Sequence, residues 1–548
     1  MRRLCRFTAG FSIGCAACVA GFRSGAYLLA AIAAALCVLA LGFRKQLHLQ
    51  RLLPALLGLS LALAWCGVYR AVLLRPIEAF CARQQAEISA EVLEYPTSSR
   101  YGRAVLVCVE AEPRSIRAVL YYSSDETLLP GDHVACTAKL RAASPDNLER
   151  DEYYASRGVW MCASAKGELT VEAGTRSLRY FPVYAAERLK RVCTQIFPAD
   201  AAGFLQALLT GDKQNLSYAL RNDLSRSGVY HVVAVSGMHV SLLAGLVMLL
   251  CAKKRVLCAA LGIPLVWFFV LLTGANASSV RAGIMQTMLL VSGLVRRERD
   301  PWTAFSAALL VLLAENPWSL RNVGLLLSFA STGGILLFSK PLYHAMVESK
   351  TYAHLEDHHP FLARGLRPGI TATCCSLASS AFSLPICAVY FGVVSVSGFV
   401  TNALCLWLIS LIFSAGLATA AASCICLPIG LGPGWLIGRA AQLVLGVIGA
   451  FSRLPYSAVS LDNPYAAVWA VFFFCAVWVI CLQPKKLRAS LTLGCIAVTF
   501  ALCMGLSALD YRSAGFTFTA LDVGQGQCLV YTADGETSMV DCGGVQNE

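Results

Sequence analysis

The chain has 548 residues, 57% of them apolar and only 14% charged. That balance excludes an ordinary soluble globular protein, where about a quarter of residues carry charge, and many apolar runs reach about 18 residues, enough to cross a bilayer. The formal net charge of +13 has two explanations that the total does not separate: cytoplasmic loops that collect Lys and Arg, and attraction to nucleic acid.

The first apolar run, residues 7–22, is followed at once by a second, 26–43, so no cleavable leader is needed. A third covers 52–74. Arg2, Arg3 and Arg6 precede the first run, and Arg44, Lys45 and Arg51 follow the second. The positive-inside rule places the N-terminus in the cytoplasm and brings the chain out after Arg75. Residues 1–75 are thus expected to form three membrane helices.

Residues 76–180 form a polar domain. Stretches 86–93 and 104–110 alternate apolar with polar residues, as half-buried strands do. Further strands are expected over 117–122, 133–140 and 159–171, with a turn at Pro130-Gly131-Asp132 and a short helix over 148–156. Short strands with one helix suggest a small barrel of the OB type. Such a face can bind single strands through basic and aromatic side chains, here Arg100, Tyr101, Arg103, Arg117, Tyr121, Tyr122, Lys139 and Arg141. Residues 75–180 hold 13 Lys and Arg against 15 Asp and Glu, so no basic excess separates a binding groove from a solvated surface.

Of the 24 cysteines most lie in apolar runs, Cys15, Cys18, Cys37, Cys405 and Cys475 among them, where they act as small apolar residues. No C-x-x-C pair has a matching second pair, which argues against zinc. Cys81, Cys108, Cys136 and Cys162 fall in the polar domain, where an extracytoplasmic setting allows a disulfide whose pairing stays open.

Residues 180–197 show helical spacing with Glu187, Arg188, Lys190 and Arg191 on the polar side, as in a helix lying along the membrane interface. A short helix over 208–215 breaks at Thr210-Gly211-Asp212, and 216–226 is helical with Arg221, Asp223 and Arg226 between apolar residues. Residues 229–250 then form an apolar span that carries His231, Ser236, Gly237 and His239 near its start. Such groups are costly in hydrocarbon unless they meet a partner or a wet cavity. Ser236-Gly237 also suits close helix packing, and His239 suits a satisfied bundle residue.

Later runs weave through the membrane: 256–273, 280–295, 302–313, 320–338, 370–391, 393–426, 435–451, 466–481 and 487–509. Lys253-Lys254-Arg255, Arg296-Arg297-Arg299 and the segment 483–488 mark inside loops, which delivers the C-terminus outside. Residues 341–364, with His344, His354, His358 and His359, match no metal spacing and are expected to be a cytoplasmic loop. Two polar breaks stand out. In the first, 273–281, Ser278 or Ser279 can cap the next helix and place Arg281 in its first turn. Arg281 can meet passing phosphates, snorkel, or pair with Asp212 or Asp223. The second is Asn316-Pro317 with Arg321, Asn322 and Ser328. Broken helix ends are tolerated at membrane depth where they line protein or water. Near the end, strands are expected over 516–523, 527–532 and 538–541, with turns at Gly524-Gln525-Gly526 and Asp534-Gly535.

The words LLTGD, SGVYHVVAVSGMHV, SSVRAGIMQ, NPWSLRNVGLLLSFAS and DVGQGQ resemble the signature of the ComEC family, bacterial inner-membrane proteins that internalise DNA during natural transformation. LLPGDHVACTAKL resembles the strand pattern of that family's OB-like domain. The resemblance implies a polytopic α-helical membrane protein with an inserted OB-like β-barrel over 76–180. It implies a channel bundle over 181–510 and, over 515–548, the first strands of a metallo-β-lactamase-like domain. Gln527 stands where family members usually have Asp, and the family's H-x-H-x-D-H metal word is expected beyond Glu548, so the chain is expected to be a fragment or a truncated form. Asp522 and Asp541 are then supporting residues at most. A divalent metal, Mn or Zn, is implied for a complete C-terminal domain and none for this chain. The implied function is passage of one DNA strand through the bundle, with Asp212, Arg221, Ser236, His239, Arg281 and Arg321 as path residues. The implied partners are single-stranded DNA, the lipid bilayer and other competence-machinery proteins. The rival readings are a small-molecule or lipid-linked anion transporter and a membrane-anchored metallo-hydrolase.

Overall fold

A computed structural model describes residues 3–20, 32, 47–99, 102–111, 114–124, 126–143, 150–252, 254–296, 298–460, 464–482, 489–513, 516–521, 528–533 and 536–541. The chain divides into two compact units, residues 1–379 with 397–457, and residues 380–396 with 458–548. Among the described residues six helices are long and apolar enough to cross a membrane: Leu52–Cys81, Arg255–Leu272, Val323–Val347, Pro360–Phe391, Gly398–Ile425 and Leu427–Ser452. The protein is a multi-pass membrane protein.

In the first unit the helices Arg3–Val19 and Leu47–Tyr69 pack backbone to backbone. A Cβ added at Gly10 would stand 1.8 Å from the Ala55 carbonyl oxygen, and one at Gly58 would stand 2.0 Å from that of Phe7. Small residues permit this approach where lipid offers no hydrophobic drive between helices. The second helix does not stop at residue 74 as expected. It passes through one π turn, Arg70–Leu74, into Arg75–Cys81. Pro76 is tolerated there because it sits in the first turn of the new segment, where its missing N–H is no loss.

The chain then enters the barrel. Its strands are β1 Gln85–Val92, β2 Thr97–Ser99, β3 Gly102–Val109, β4 Ile116–Tyr122, β5 His133–Ala142 and β6 Met161–Glu172. Five of them close in the order β1-β5-β6-β4-β3-β1, with β2 hairpinned onto β3. The β4–β6 pair is parallel and the rest are antiparallel. This is the OB-like architecture that the alternation suggests. Ile88, Ala90, Val92, Val105, Val107 and Leu120 are buried inside, because successive side chains point to opposite faces. Cys81, Cys108 and Cys136 are thiols, not members of a disulfide.

Glu94, just after β1, reaches solvent but has protein on most sides. Lost hydration lifts its carboxyl above the ordinary value, against the pull of Arg157, Lys190 and Arg117. A carboxyl raised in the folded state costs stability above its folded pKa and none below the unfolded value, 4.5. Glu94→Gln is therefore expected to raise the thermal midpoint at neutral pH and to converge with the parent as pH falls towards 4.5, read by thermal unfolding in detergent.

The barrel floor rests on the bundle. Tyr69, Trp160 and Trp318 form an aromatic triangle with centroids 5.6–6.1 Å apart. Asn316 Nδ2 donates to Ala155 O at 2.8 Å. Arg321 reaches Glu152 at 3.4 Å and donates to Val19 O at 2.8 Å. Asn316 also caps the short 3-10 turn Pro317–Arg321 by accepting from Trp318 N. The second polar break is thus the seat of the barrel.

The helix Phe181–Ile196 is amphipathic as its spacing predicts, yet its apolar side packs on protein. Leu189, Val192, Cys193 and Ile196 join the central core with Phe204, Leu208, Phe413 and Val444. Arg188 donates twice to Cys424 O, at 2.7 and 3.1 Å. The next helix, Ala199–Thr210, is buried along almost its whole length and ends at Gly211, whose φ of +81° is a left-handed cap.

Three further segments depart from expectation. The span 229–250 is not continuous: a 3-10 turn, Tyr230–Val232, and a break precede the helix Gly237–Leu250. Ser236 and His239 form a capping box there, which competes with a straight entry. Residues 341–364 are not a loop. The helix Val323–Val347 runs on, Ser349 caps Lys350–His358, and Pro360–Phe391 follows. Residues 393–426 are a short strand, Val393–Ser395, and one helix, Gly398–Ile425.

In the second unit Val393–Ser395 pairs antiparallel with Ala458–Ser460. Helices Pro464–Leu482 and Ala489–Ser513 meet through Trp469 and Phe500, centroids 5.0 Å apart. Strands Phe516–Ala520, Leu529–Ala533 and Glu536–Val540 form an antiparallel meander. Asp541 ends it, exposed, with φ +58°. Asp522 lies outside the described residues.

Candidate functional site

The polar words of the bundle meet where helices begin. Ser236 is the N-cap of Gly237–Leu250, and its side chain accepts from Met238 N at 3.3 Å. Asn276, not Ser278 or Ser279, is the N-cap position of Ala277–Leu294, which puts Arg281 in the second turn rather than the first. Ser279 Oγ donates back to Asn276 O at 2.8 Å. Asn322 caps Val323–Val347 by accepting from Leu325 N at 3.2 Å.

Contacts join the N-terminal halves of these helices. Ser278 Oγ and Ser328 Oγ are 2.8 Å apart. Arg281 Nη1 donates to Thr332 Oγ1 and, at 3.7 Å, to Met285 Sδ. Its guanidinium carbon lies 5.7 Å from the Phe329 ring centroid. A Cβ added at Gly237 would stand 2.6 Å from Arg281 Nη2, so the absent side chain is what admits the guanidinium. Gly211 closes the group: a Cβ there would stand 3.1 Å from Val235 Cγ2 and 3.9 Å from Thr273 O.

Arg281 is 6% exposed, its Nε has no partner, and no carboxylate pairs with it among the described residues. The two expected anions are committed elsewhere. Asp212 Oδ2 holds Lys190 Nζ at 2.5 Å, and Asp223 Oδ1 accepts from Ser452 Oγ at 2.6 Å. Burying a lone cation is costly. The cluster carries positive potential, from Arg281 and from the N-terminus of Gly237–Leu250.

His239 is sealed, 0% exposed, with its ring edge-on to Phe413 at 4.6 Å. Its Nδ1 accepts from Ser236 N at 3.1 Å, which assigns the ring proton to Nε2 in the neutral form. That Nε2 has no partner. Two further polar contacts involve the same helices: Gln286 Nε2 donates to the exposed Ser241 Oγ at 2.7 Å, and the half-buried Ser410 Oγ to Met238 Sδ at 3.7 Å. Sequence reasoning misses Thr332, Gln286, Ser241 and Ser410. Lone hydroxyls and an amide inside apolar runs carry no spacing signal.

The other expected path residues divide. Arg221 donates to Lys213 O at 2.6 Å, in the loop that contains Asp212. Arg321 is spent on the barrel seat. On the barrel, register sets Tyr121 beside Ser164 and Ser164 beside Lys139, with Arg117 and Arg141 on the same outer face. Tyr121 is hydrogen-bonded to Tyr154, so its hydroxyl is taken. Arg103 pairs in register with Tyr122, whose side chain is buried, so it belongs to the inward set; it donates to Glu126 O at 3.2 Å. Arg100 and Tyr101 lie outside the described residues. A cavity of 470 Å³ is lined by Tyr95, Tyr184, Arg188 and Arg191. Its cations are committed too, Arg191 to Glu187 at 3.5 Å and Arg188 to Cys424 O.

No group of three or more His, Cys, Asp or Glu could hold a metal ion among the described residues. Exposed Asp541 alone does not make a metal centre, so no metal-dependent step is derived from these residues.

A family model described as competence protein matches residues 208–486. The chain is 34% identical over 150 residues to ComE operon protein 3 of Bacillus subtilis, covering 26% of this chain and 19% of that protein. It is 25% identical over 201 residues to Recombination protein 2 of Haemophilus influenzae, covering 35% of this chain and 25% of that protein. The chain thus aligns with a quarter or less of the length of these curated relatives. No solved structure matches it.

Proposed function

The chain belongs to the competence protein family, and from that premise we propose that it forms the passage by which a single DNA strand crosses the bacterial inner membrane during natural transformation. The N-terminus is cytoplasmic in this reading and the barrel stands outside, as the early Arg and Lys residues favour. The observation that carries the proposal is Arg281, a buried cation with no carboxylate partner among the described residues, set against the first residue of the helix Gly237–Leu250.

A polyanion needs positive potential that does not become a trap. Arg281 and the N-terminus of Gly237–Leu250 supply the potential. The neutral groups of Ser241, Gln286 and Ser410 offer hydrogen bonds without further charge, so phosphates can leave as well as enter. Asp212 is offset by its ion pair with Lys190, while Asp223 keeps its charge and is oriented by the Ser452 hydroxyl. Degradation of the second strand, other competence-machinery partners and a metal-dependent C-terminal domain are expectations of the family resemblance. They are no part of the derivation from these residues.

The test is flux through liposomes that contain the chain. Fluorescent single strands trapped inside should be lost to an external nuclease over time, while trapped duplex of equal length is retained. Equal release of a small organic anion with no release of strands would replace this reading with the anion-transporter one.

A further inference from the structure

Phosphates must be gripped before they reach Arg281, and most surfaces near the bundle are poorly suited. The barrel's outer face has its Tyr121 hydroxyl occupied, and residues 75–180 as a whole have no basic excess. The cations around the 470 Å³ cavity are already paired. One group of cations is not. Arg157 follows the short helix Arg150–Ala155, exposed, with its guanidinium carbon 4.3 Å from the Tyr153 ring centroid. Lys213 lies in the loop after Gly211, its ammonium 4.5 Å from the Tyr230 ring centroid. Arg221 ties to that loop through Lys213 O at 2.6 Å.

None of these three is in an ion pair among the described residues, though the Glu94 carboxyl lies within electrostatic reach of Arg157. Asp212, next to Lys213, is held by Lys190. Lys213 is pushed below its ordinary pKa by burial first, then by the positive charges of Arg157 and Arg221. Like charges kept within each other's reach favour an added anion, and Glu94 offsets Arg157 only in part because its own carboxyl is held above its ordinary pKa. The rings hold Arg157 and Lys213 in place beforehand, so less side-chain freedom is lost on binding.

We propose that Arg157, Lys213 and Arg221 form an entry site for consecutive phosphates of a single-stranded nucleic acid where the barrel meets the bundle. The proposal rests on the DNA reading above and locates its first point of capture. Gly211, two residues before Lys213, packs on Val235, next to the Ser236 cap. Tyr230 opens the 3-10 turn that leads to the same cap. A strand held by these cations is therefore adjacent to the chain segments that surround Arg281. The site reads phosphate and not base, which gives binding without sequence preference.

The experiment uses the full chain in nanodiscs of neutral lipid, with a fluorescein-labelled oligothymidylate read by anisotropy across a salt series. For single strands the slope of log K against log salt falls by about 0.7 for each phosphate that the protein ceases to neutralise. The triple variant Arg157→Gln, Lys213→Gln, Arg221→Gln is expected to flatten the slope by about 2 and to weaken low-salt binding about tenfold or more. The charge-preserving triple, Arg157→Lys, Lys213→Arg, Arg221→Lys, should keep the parent slope. Lys139→Gln with Arg141→Gln on the barrel should change it little. If the glutamine triple fails to fold, Lys213→Gln alone should still remove about 0.7 from the slope. A glutamine variant with parent affinity and slope overturns this site and leaves the DNA reading standing. A parent chain that binds no strand at low salt overturns both.

Discussion

Uptake of labelled DNA is expected to fall about thirtyfold when Arg281 is replaced by Met, and further when it is replaced by Glu, at unchanged protein level. The magnitude follows from Coulomb attraction: a phosphate about 8 Å from the guanidinium gains roughly 2 kcal/mol at an effective dielectric near 20. Met removes that attraction, and Glu replaces it with a repulsion of similar size. Met fills a similar volume, so its cost beyond the lost charge is the hydrogen bond to Thr332 and the cation–π contact with Phe329. Arg281→Lys should fall between, keeping the charge but losing the planar fork. Gly237→Ala supplies a separate arm. Its new Cβ would meet Arg281 Nη2 at 2.6 Å, so the guanidinium must shift while every charge stays. Parent-level uptake in Arg281→Glu would remove this residue from the path.

Trp318→Ala is expected to cost about 3–5 kcal/mol, the usual range for removing a large buried aromatic ring. Trp318 is 5% exposed and fills the space between Tyr69 and Trp160, one from the helix Leu47–Tyr69 and one from the barrel. Its loss undercuts the floor of the barrel as well as the second polar break. Thermal unfolding should show a lower midpoint, and protease should cut sooner between the barrel and its flanking helices. Asn316→Ala should follow in the same direction and more weakly, by losing the bond to Ala155 O. Trp318→Phe should recover part of the loss. A Trp318→Ala protein with the parent midpoint would mean that the barrel is held in place by other residues.

The two predictions separate roles that the sequence merges. Arg281 and Arg321 both follow polar breaks with helix-capping residues, and both are expected on the path from sequence. Their surroundings differ. Arg321 finds Glu152 and the last carbonyl of the Arg3–Val19 helix. Arg281 finds Thr332, Met285 and an aromatic ring, with no anion among the described residues. Nothing local to either word distinguishes a clasp from a lone cation. The distant partners lie 51 residues away for Arg281 and 302 for Arg321.

Much is legible without coordinates. Runs of about 18 apolar residues announce membrane crossings because hydrocarbon admits only chains that satisfy their own backbone bonds. Strict alternation over β1, β3, β4 and β5 announces the barrel, because pleated strands bury every second side chain. Those signals are local, so composition and period carry them. The break inside residues 229–250 is harder to see, since valines and alanines surround the Ser236 cap and mask it. The histidine-bearing segment 341–364 reads as a loop because its polarity hides good helix formers and the Ser349 cap. What tertiary structure alone decides is which partner each charged group meets. Asp212 pairs with Lys190 and Asp223 accepts from Ser452, while Arg281, Lys213, Arg157 and Arg221 are in no ion pair among the described residues. Charge pairing depends on distances of a few ångströms between segments far apart in the chain, and no spacing rule within a segment encodes them.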